Sequence, residues 1–264
     1  MPVTGHTRLF GIVADPIAQV RTPQVVNEHF ERQGFDGILV PFHVASPDLP
    51  TFVAAMRAMR NLGGFIVTVP HKTAMVELVD RVEDAGRLTG AINTVRREAD
   101  GTLTGTMFDG VGFVAGLRAE GLDPLGRRVC MAGAGGAANA IAFALAEAGI
   151  ARLTIANRTA KKAEELAARV RAACPGVDVA AGPAAADGHD MLVNATSLGL
   201  AEGDALPFDV STLTPGAVVA EIIMKPERTP LLAAAEARGC RTHYGRHMLD
   251  HQVRLMADFL IGGR

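Results

Sequence analysis

Val129-Cys-Met-Ala-Gly133-Ala134-Gly135-Gly136-Ala137-Ala138 is the stretch that decides how this chain folds. Its apolar start reads as a buried strand and its end opens a helix. The turn between them matches Gly-x-Gly-x-x-[Gly/Ala], in which Gly133 permits the tight turn and Gly135 lets backbone approach a pyrophosphate. Ala138 then lets the helix pack closely. A helix N-terminus adds N–H groups without internal partners and the positive end of a dipole, and together these hold an anion. Val129–Ala146 is uncharged over 18 residues, the lower limit of a membrane span. The glycines and Asn139 inside it favour strand, turn and helix instead. A glycine-rich turn is weak evidence by itself, since an ordinary tight turn in an alanine-rich chain looks similar.

The following strand sharpens the reading. Arg152–Ala156 ends at Asn157-Arg158-Thr159, about 24 residues past Gly133, where an NAD enzyme places an acidic residue for the ribose 2′-hydroxyl. Here a neutral Asn157 precedes Arg158, with Lys161 and Lys162 close behind. Arginine pairs with a 2′-phosphate in bidentate fashion, and a carboxylate would repel it. NADP(H) is therefore the expected cofactor, with NAD the alternative and a merely solvated helix start the bland reading. Asn194-Ala-Thr196-Ser197 and Glu221-Ile222-Ile-Met224 fall at strand C-terminal ends, where open α/β sheets bind ligands.

Strand and helix signals alternate on both sides of this segment. Upstream, strands are expected at Leu9–Val13, Gly37–His43 and Gly64–Val69. Helices are expected from a Thr22-Pro23 cap to Gly34, over Pro50–Asn61, and from Pro70 through His71–Asp80. Downstream come a helix near Gly112–Glu120, strands at Arg128–Ala132, Met191–Asn194 and Ala217–Ile223, and helices at Lys161–Ala172, Thr229-Pro230 to Gly239 and His247–Leu260. Such alternation implies mostly parallel α/β sheets. A length of 264 residues allows two domains, with a boundary near residue 105. A net charge of −2 offers no electrostatic case for nucleic acid or an anionic membrane. Three cysteines without a Cys-x-x-Cys pair argue against a disulfide framework or a zinc ribbon. The opening Met1-Pro-Val-Thr-Gly-His lacks the order of a signal peptide, so a cytoplasmic location is expected.

These residues resemble the shikimate dehydrogenase family along nearly the whole chain. Gly11-Ile-Val-Ala-Asp-Pro-Ile with Thr22-Pro23 is similar to the family's opening motif, and Val67-Thr-Val-Pro-His-Lys72 to its catalytic-lysine segment. Gly90-Ala-Ile-Asn93-Thr94, Asp109-Gly110, Asn194-Ala-Thr-Ser, Thr229-Pro-Leu-Leu and Gly245-Arg-His-Met248-Leu249-Asp-His-Gln252 continue the series in order. The resemblance implies an α/β substrate-binding and catalytic domain over 1–105, a Rossmann-like NADP-binding domain over 106–245, and a last helix, 246–264, that returns to the first domain. Hydride transfer would occur in the cleft between them, in aromatic amino acid biosynthesis through the chorismate pathway. Lys72 and Asp109 would form the catalytic pair, with Thr22, Asn93 and Gln252 on the substrate. Gly133–Ala137, Asn157, Arg158, Thr159 and Lys162 would hold the cofactor, joined by Asn194, Thr196, Ser197, Ile222 and Gly245. The partner would be a small-molecule substrate, with the chain a monomer or homodimer.

The departures gather at the substrate. Val20 and Thr22 stand where the family has two serines for a carboxylate. Ile66 replaces an asparagine, Met107-Phe108 replaces Asn-Thr, and Met224 replaces a tyrosine. Burying a substrate hydroxyl or carboxylate without its partner costs about 1–3 kcal/mol per lost hydrogen bond. The implied reaction stands, while the substrate could be a shikimate-like hydroxy acid or a less polar relative. A dehydrogenase with relaxed quinate/shikimate specificity, and a non-catalytic nucleotide-binding regulator, are the alternatives.

Hydride departure requires the hydroxyl to lose a proton, so a base must stand beside it. Lys72 is the candidate, with Asp109 orienting its ammonium; His71 is a second possible base, but adjacent helical residues diverge by about 100°. His243, His247 and His251 recur every fourth residue, the spacing of helix-borne metal ligands. Gly245 interrupts the helix that would align them, so surface histidines and no metal are expected. Cys130, in an apolar strand, is expected to be a core residue rather than a nucleophile.

Overall fold

The computed structural model describes residues 3–262. Contacts divide the chain into two compact units, one running to Phe108 and resuming at Gln252, the other spanning Asp109–His251.

In the first unit, six strands form one sheet: β1 (Arg8–Ala14), β2 (Gly37–His43), β3 (Leu62–Val67), β4 (Arg81–Val82), β5 (Thr94–Arg97) and β6 (Leu103–Thr106). Their order is β2-β1-β3-β5-β6-β4. β1 runs parallel to β2 and β3, whereas β5 is antiparallel to β3 and β6. Helices α1 (Thr22–Arg32), α2 (Leu49–Ala58) and α3 (Asp84–Thr89) cover it. Strand alternation sends Val13, Phe65 and Val67 into a core shared with Leu49, Val53 and Met56 of α2. Phe10 points the other way, onto Phe30 of α1 at 5.0 Å.

Three expectations change here. Thr22 is the first residue of α1 rather than its cap; Arg21 occupies that position and no side chain caps the helix. The helix expected over 71–80 is only a short 3-10 turn, Ala74–Glu77. Its physical reason is one diverted acceptor: the Lys72 carbonyl takes the N–H of Ile92 at 2.8 Å, while Val76 N–H bonds Thr73 instead. The third strand begins two residues early and stops at Val67, leaving Val69 63% exposed.

The second unit holds β7 (Arg128–Ala132), β8 (Arg152–Ala156), β9 (Asp178–Ala181), β10 (Met191–Asn194), β11 (Val218–Glu221) and β12 (Arg241–His243). All neighbours are parallel, in the order β9-β8-β7-β10-β11-β12. This is the doubly wound Rossmann order, and it reverses direction between β7 and β10. Helices α4 (Asp109–Ala119), α5 (Gly136–Glu147), α6 (Ala160–Ala173) and α7 (Pro230–Ala237) belong to this unit, and α8 (Gly245–Ile261) carries the chain into the first. α4 lies hard against α5, because a Cβ at Gly110 would stand 2.1 Å from the Ala140 carbonyl oxygen. Cys130 packs in the core with Leu192, Val219 and Leu232, and burial pushes its thiol up to about 11. That is the inert state expected of it.

The histidines correct a further expectation. His243 ends β12 fully buried, with its ring edge-on to Phe113 at 5.4 Å and 5.3 Å from the His247 ring. Neither of its ring nitrogens has a hydrogen-bond partner among the described residues. Burial first, then the charges of His247 and His251, depress its pKa from 6.5 to about 4. Below pH 6.5 the unfolded chain takes up this proton and the folded chain does not, so stability falls as pH drops toward 4. Denaturant midpoints between pH 7 and pH 4 should show a loss of about 3 kcal/mol at most from this residue. His243→Phe should flatten that part of the profile, and an unchanged profile would contradict the assignment.

Candidate functional site

At the end of β7 the chain turns through Gly133, whose φ of +121° favours glycine. A Cβ there would also stand 2.5 Å from the Ala195 carbonyl oxygen. Its N–H bonds the Ala156 carbonyl, and Ala195 N–H bonds that of Ala132, each at 2.8 Å. The turn is thus tied to the strand ends on both sides. Gly135 occupies the N-cap of α5 with no side-chain cap, and open space lies where a Cβ on Gly135 or Gly136 would project. Asn139 reaches back from the second turn of α5 to the Ala134 and Gly135 carbonyls, and Arg169 holds the Asn139 oxygen at 2.8 Å. A rigid turn below an uncapped, accessible helix start fits a phosphate. Ala134 and Ala137 flank that opening, half-buried.

Across from it, β8 ends at Ala156 and is followed by Asn157, whose amide donates to the Thr159 carbonyl and shapes the start of α6. Arg158, Thr159 and Lys162 are exposed, and Arg158 has no ion pair or hydrogen bond of its side chain among the described residues. No carboxylate occupies the position that would repel a 2′-phosphate.

Asn194 and Glu221 end neighbouring strands, paired in register, and both are fully buried. The Asn194 amide donates to Glu221 Oε2 and to the Leu198 carbonyl, each at 2.9 Å. Its oxygen accepts from the N–H and hydroxyl of Thr196. Asn194 is therefore engaged on all sides by protein, and shapes the Ala195–Leu198 loop from beneath. Thr196 is half-buried, and its hydroxyl accepts from Leu198 N–H; Ser197 is exposed. Ile222 is bound through its N–H to Glu221 Oε1 at 2.9 Å. Gly245 lies against that segment, since a Cβ there would stand 2.3 Å from the Ile223 carbonyl oxygen. Met224 is 46% exposed just beyond it.

In the first unit, Lys72 and Asn93 share a scaffold. Ile92 N–H bonds the Lys72 carbonyl, Val67 N–H bonds the Asn93 carbonyl, and Asn93 N–H bonds the Thr106 carbonyl. The Asn93 side-chain oxygen accepts from Phe108 N–H at 3.0 Å and from the Thr94 hydroxyl at 3.1 Å. Asn93 is fully buried, and Lys72 is half-buried. Buried Thr22 and half-buried Val20 lie beyond the end of β1, and Gln252 is buried on α8. Ile66 and Met107 are interior residues, 3% and 2% exposed. Phe108 stacks edge-on against Phe259 of α8 at 5.7 Å, and the Arg96 guanidinium covers the Phe259 ring at 4.4 Å. His71 is buried with Nε2 on the Val44 carbonyl at 2.8 Å, which gives it a structural partner. Asp109 opens α4 of the second unit, 1% exposed. The His43–Asp15 pair, 2.8 Å apart at the ends of β2 and β1, lacks a sequence signal because its two residues are distant in the chain.

Comparison with known proteins closes the description. Residues 12–95 match the family model described as the shikimate dehydrogenase substrate binding domain, and residues 119–199 match shikimate / quinate 5-dehydrogenase. The shikimate dehydrogenase (NADP(+)) of Geobacter metallireducens is 41% identical over 96% of this chain and 90% of its own. That of Rubrobacter xylanophilus is 42% identical over 95% of this chain and 89% of its own. Among solved structures, the ligand-free 5-ketofructose reductase of Gluconobacter sp. strain CHM43 is 36% identical with a TM-score of 0.88, covering 98% of this chain and 94% of that one. The shikimate 5-dehydrogenase of Listeria monocytogenes, in complex with shikimate and NAD, is 32% identical with a TM-score of 0.91, covering 99% and 94%.

Proposed function

The chain belongs to the shikimate dehydrogenase family, and from that premise we propose that it transfers hydride reversibly between NADP(H) and a ring hydroxyl or ketone of a shikimate-like hydroxy acid. The observation that carries this reading is the uncapped start of α5 beside an exposed Arg158, without an ion pair among the described residues, just past the next strand of one parallel sheet. Bound there, the cofactor supplies or accepts the hydride. The residues do the rest. Backbone N–H groups at Gly135–Ala137 take the pyrophosphate, and Arg158 with Thr159 and Lys162 takes the 2′-phosphate. Lys72 removes the hydroxyl proton as hydride departs and returns it in the reverse direction, while Asp109 orients the Lys72 ammonium. Asn93 and Gln252 hold neighbouring hydroxyls. Asn93 is prepositioned for that by its bonds to Phe108 and Thr94.

A second reading of the substrate has its own support. Val20, Ile66 and Met107 bring no side-chain donor, which leaves the Thr22 hydroxyl as the donor at the two positions, 20 and 22, where the family has serines. One solved relative is named a 5-ketofructose reductase. A neutral ketone has no carboxylate to be gripped, so the donor lost at Val20 costs it less than it costs an acid, although its hydroxyls still need partners. Steady-state rates with shikimate, quinate and 5-ketofructose decide between them: turnover of the acids supports the first reading, and turnover of the neutral ketone alone supports the second.

Two variants test the roles. Lys72→Ala should lower kcat by about 10²–10⁴ on whichever substrate is turned over, the usual contribution of a general base, and full activity would remove Lys72 from the chemistry. Arg158→Ala should weaken NADP(H) by about tenfold or more while leaving NAD(H) little changed. Equal loss for both cofactors would remove Arg158 from the 2′-phosphate site.

A further inference from the structure

Glu221 is a fully buried carboxylate at a strand end, and no cationic side chain among the described residues is bonded to it. Oε1 accepts from the N–H groups of Ile222 at 2.9 Å and Ile223 at 3.1 Å. Oε2 accepts from the Asn194 amide at 2.9 Å and the Thr229 hydroxyl at 3.1 Å. Burial pushes its carboxyl above the usual range, and these four donors offset part of that cost. Breaking such a buried polar group leaves partners unsatisfied, so one retained here is a candidate for fixing geometry.

Its partners identify what it fixes. Through Asn194 it sets the loop whose Ala195 carbonyl lies against Gly133, and through its own two N–H partners it sets Ile222–Ile223, which Gly245 backs. These loops leave β10 and β11, on the far side of the topological reversal from Arg158. A doubly wound sheet takes one mononucleotide on each half. If Arg158 marks the adenosine half, then β10–β12 form the half that receives the nicotinamide. We propose that Glu221 is a positioning residue for the nicotinamide end of the cofactor, acting through Asn194 and the Ile222–Ile223 backbone. This rests on the nucleotide reading given above.

Glu221→Gln is the informative variant, since it keeps the shape but turns one acceptor into a donor facing the Asn194 amide. Calorimetric titration would compare NADPH with 2′-phospho-ADP-ribose, which lacks the nicotinamide. The expected result is about tenfold or more weaker NADPH binding with the fragment essentially unaffected, plus a lower kcat. Glu221→Asp, which keeps the charge and still reaches an N–H two residues on, should restore part of the loss. Equal weakening of both ligands would overturn the proposal, leaving Glu221 a scaffold residue only, and so would no change in either. Failure of the unsubstituted protein to bind either ligand would overturn the nucleotide reading and this inference together.

Discussion

The close approach of Gly133 to the Ala195 carbonyl is the constraint on which the second unit's site depends. The turn after β7 and the loop after β10 meet there, at the point where strand order reverses. Any side chain at Gly133 would separate them, and the φ of +121° would strain it as well. With the two segments in contact, α5 starts directly beyond the sheet, with its first N–H groups uncapped. Gly135 and Gly136 serve a different end from Gly133. No contact forbids a side chain on either, so their value lies in leaving the helix start bare.

The first unit shows the same economy with hydrogen bonds in place of sterics. Its sheet gives up a helical turn after Pro70 so that the Lys72 carbonyl can bond Ile92, next to Asn93. Two residues proposed to meet the substrate are thereby held through adjacent peptide units. Asn93 is in turn bonded to Phe108, whose ring packs on α8, the helix that carries Gln252. Local helix propensity yields here to a long-range backbone bond.

That contrast explains what was legible in the amino-acid sequence. The strand–turn–helix at Gly133, the neutral-then-basic Asn157-Arg158 and the Thr229 cap are local patterns, and the structure places each as local rules require. Thr22-Pro23 carries the same local pattern as Thr229-Pro230, yet only Thr229 caps, by accepting from Leu232 N–H at 3.3 Å. The β5–β6 hairpin and the short strands β9 and β12 were missed because they carry too few apolar residues to show a period. His243 reads as a surface residue in the sequence because no local pattern shows its burial, which comes from Phe113 of α4, distant in the chain, together with His247 of α8. Glu221 was visible only as an acid at a strand end; its four donors come from three separate segments.

A crystal structure of this protein grown with NADP+ tests the central claim most directly. The account predicts the pyrophosphate within about 3 Å of the backbone N–H groups at Gly135–Ala137, with the 2′-phosphate on the Arg158 guanidinium. Nucleotide bound away from the start of α5, or a 2′-phosphate directed away from Arg158, would contradict it.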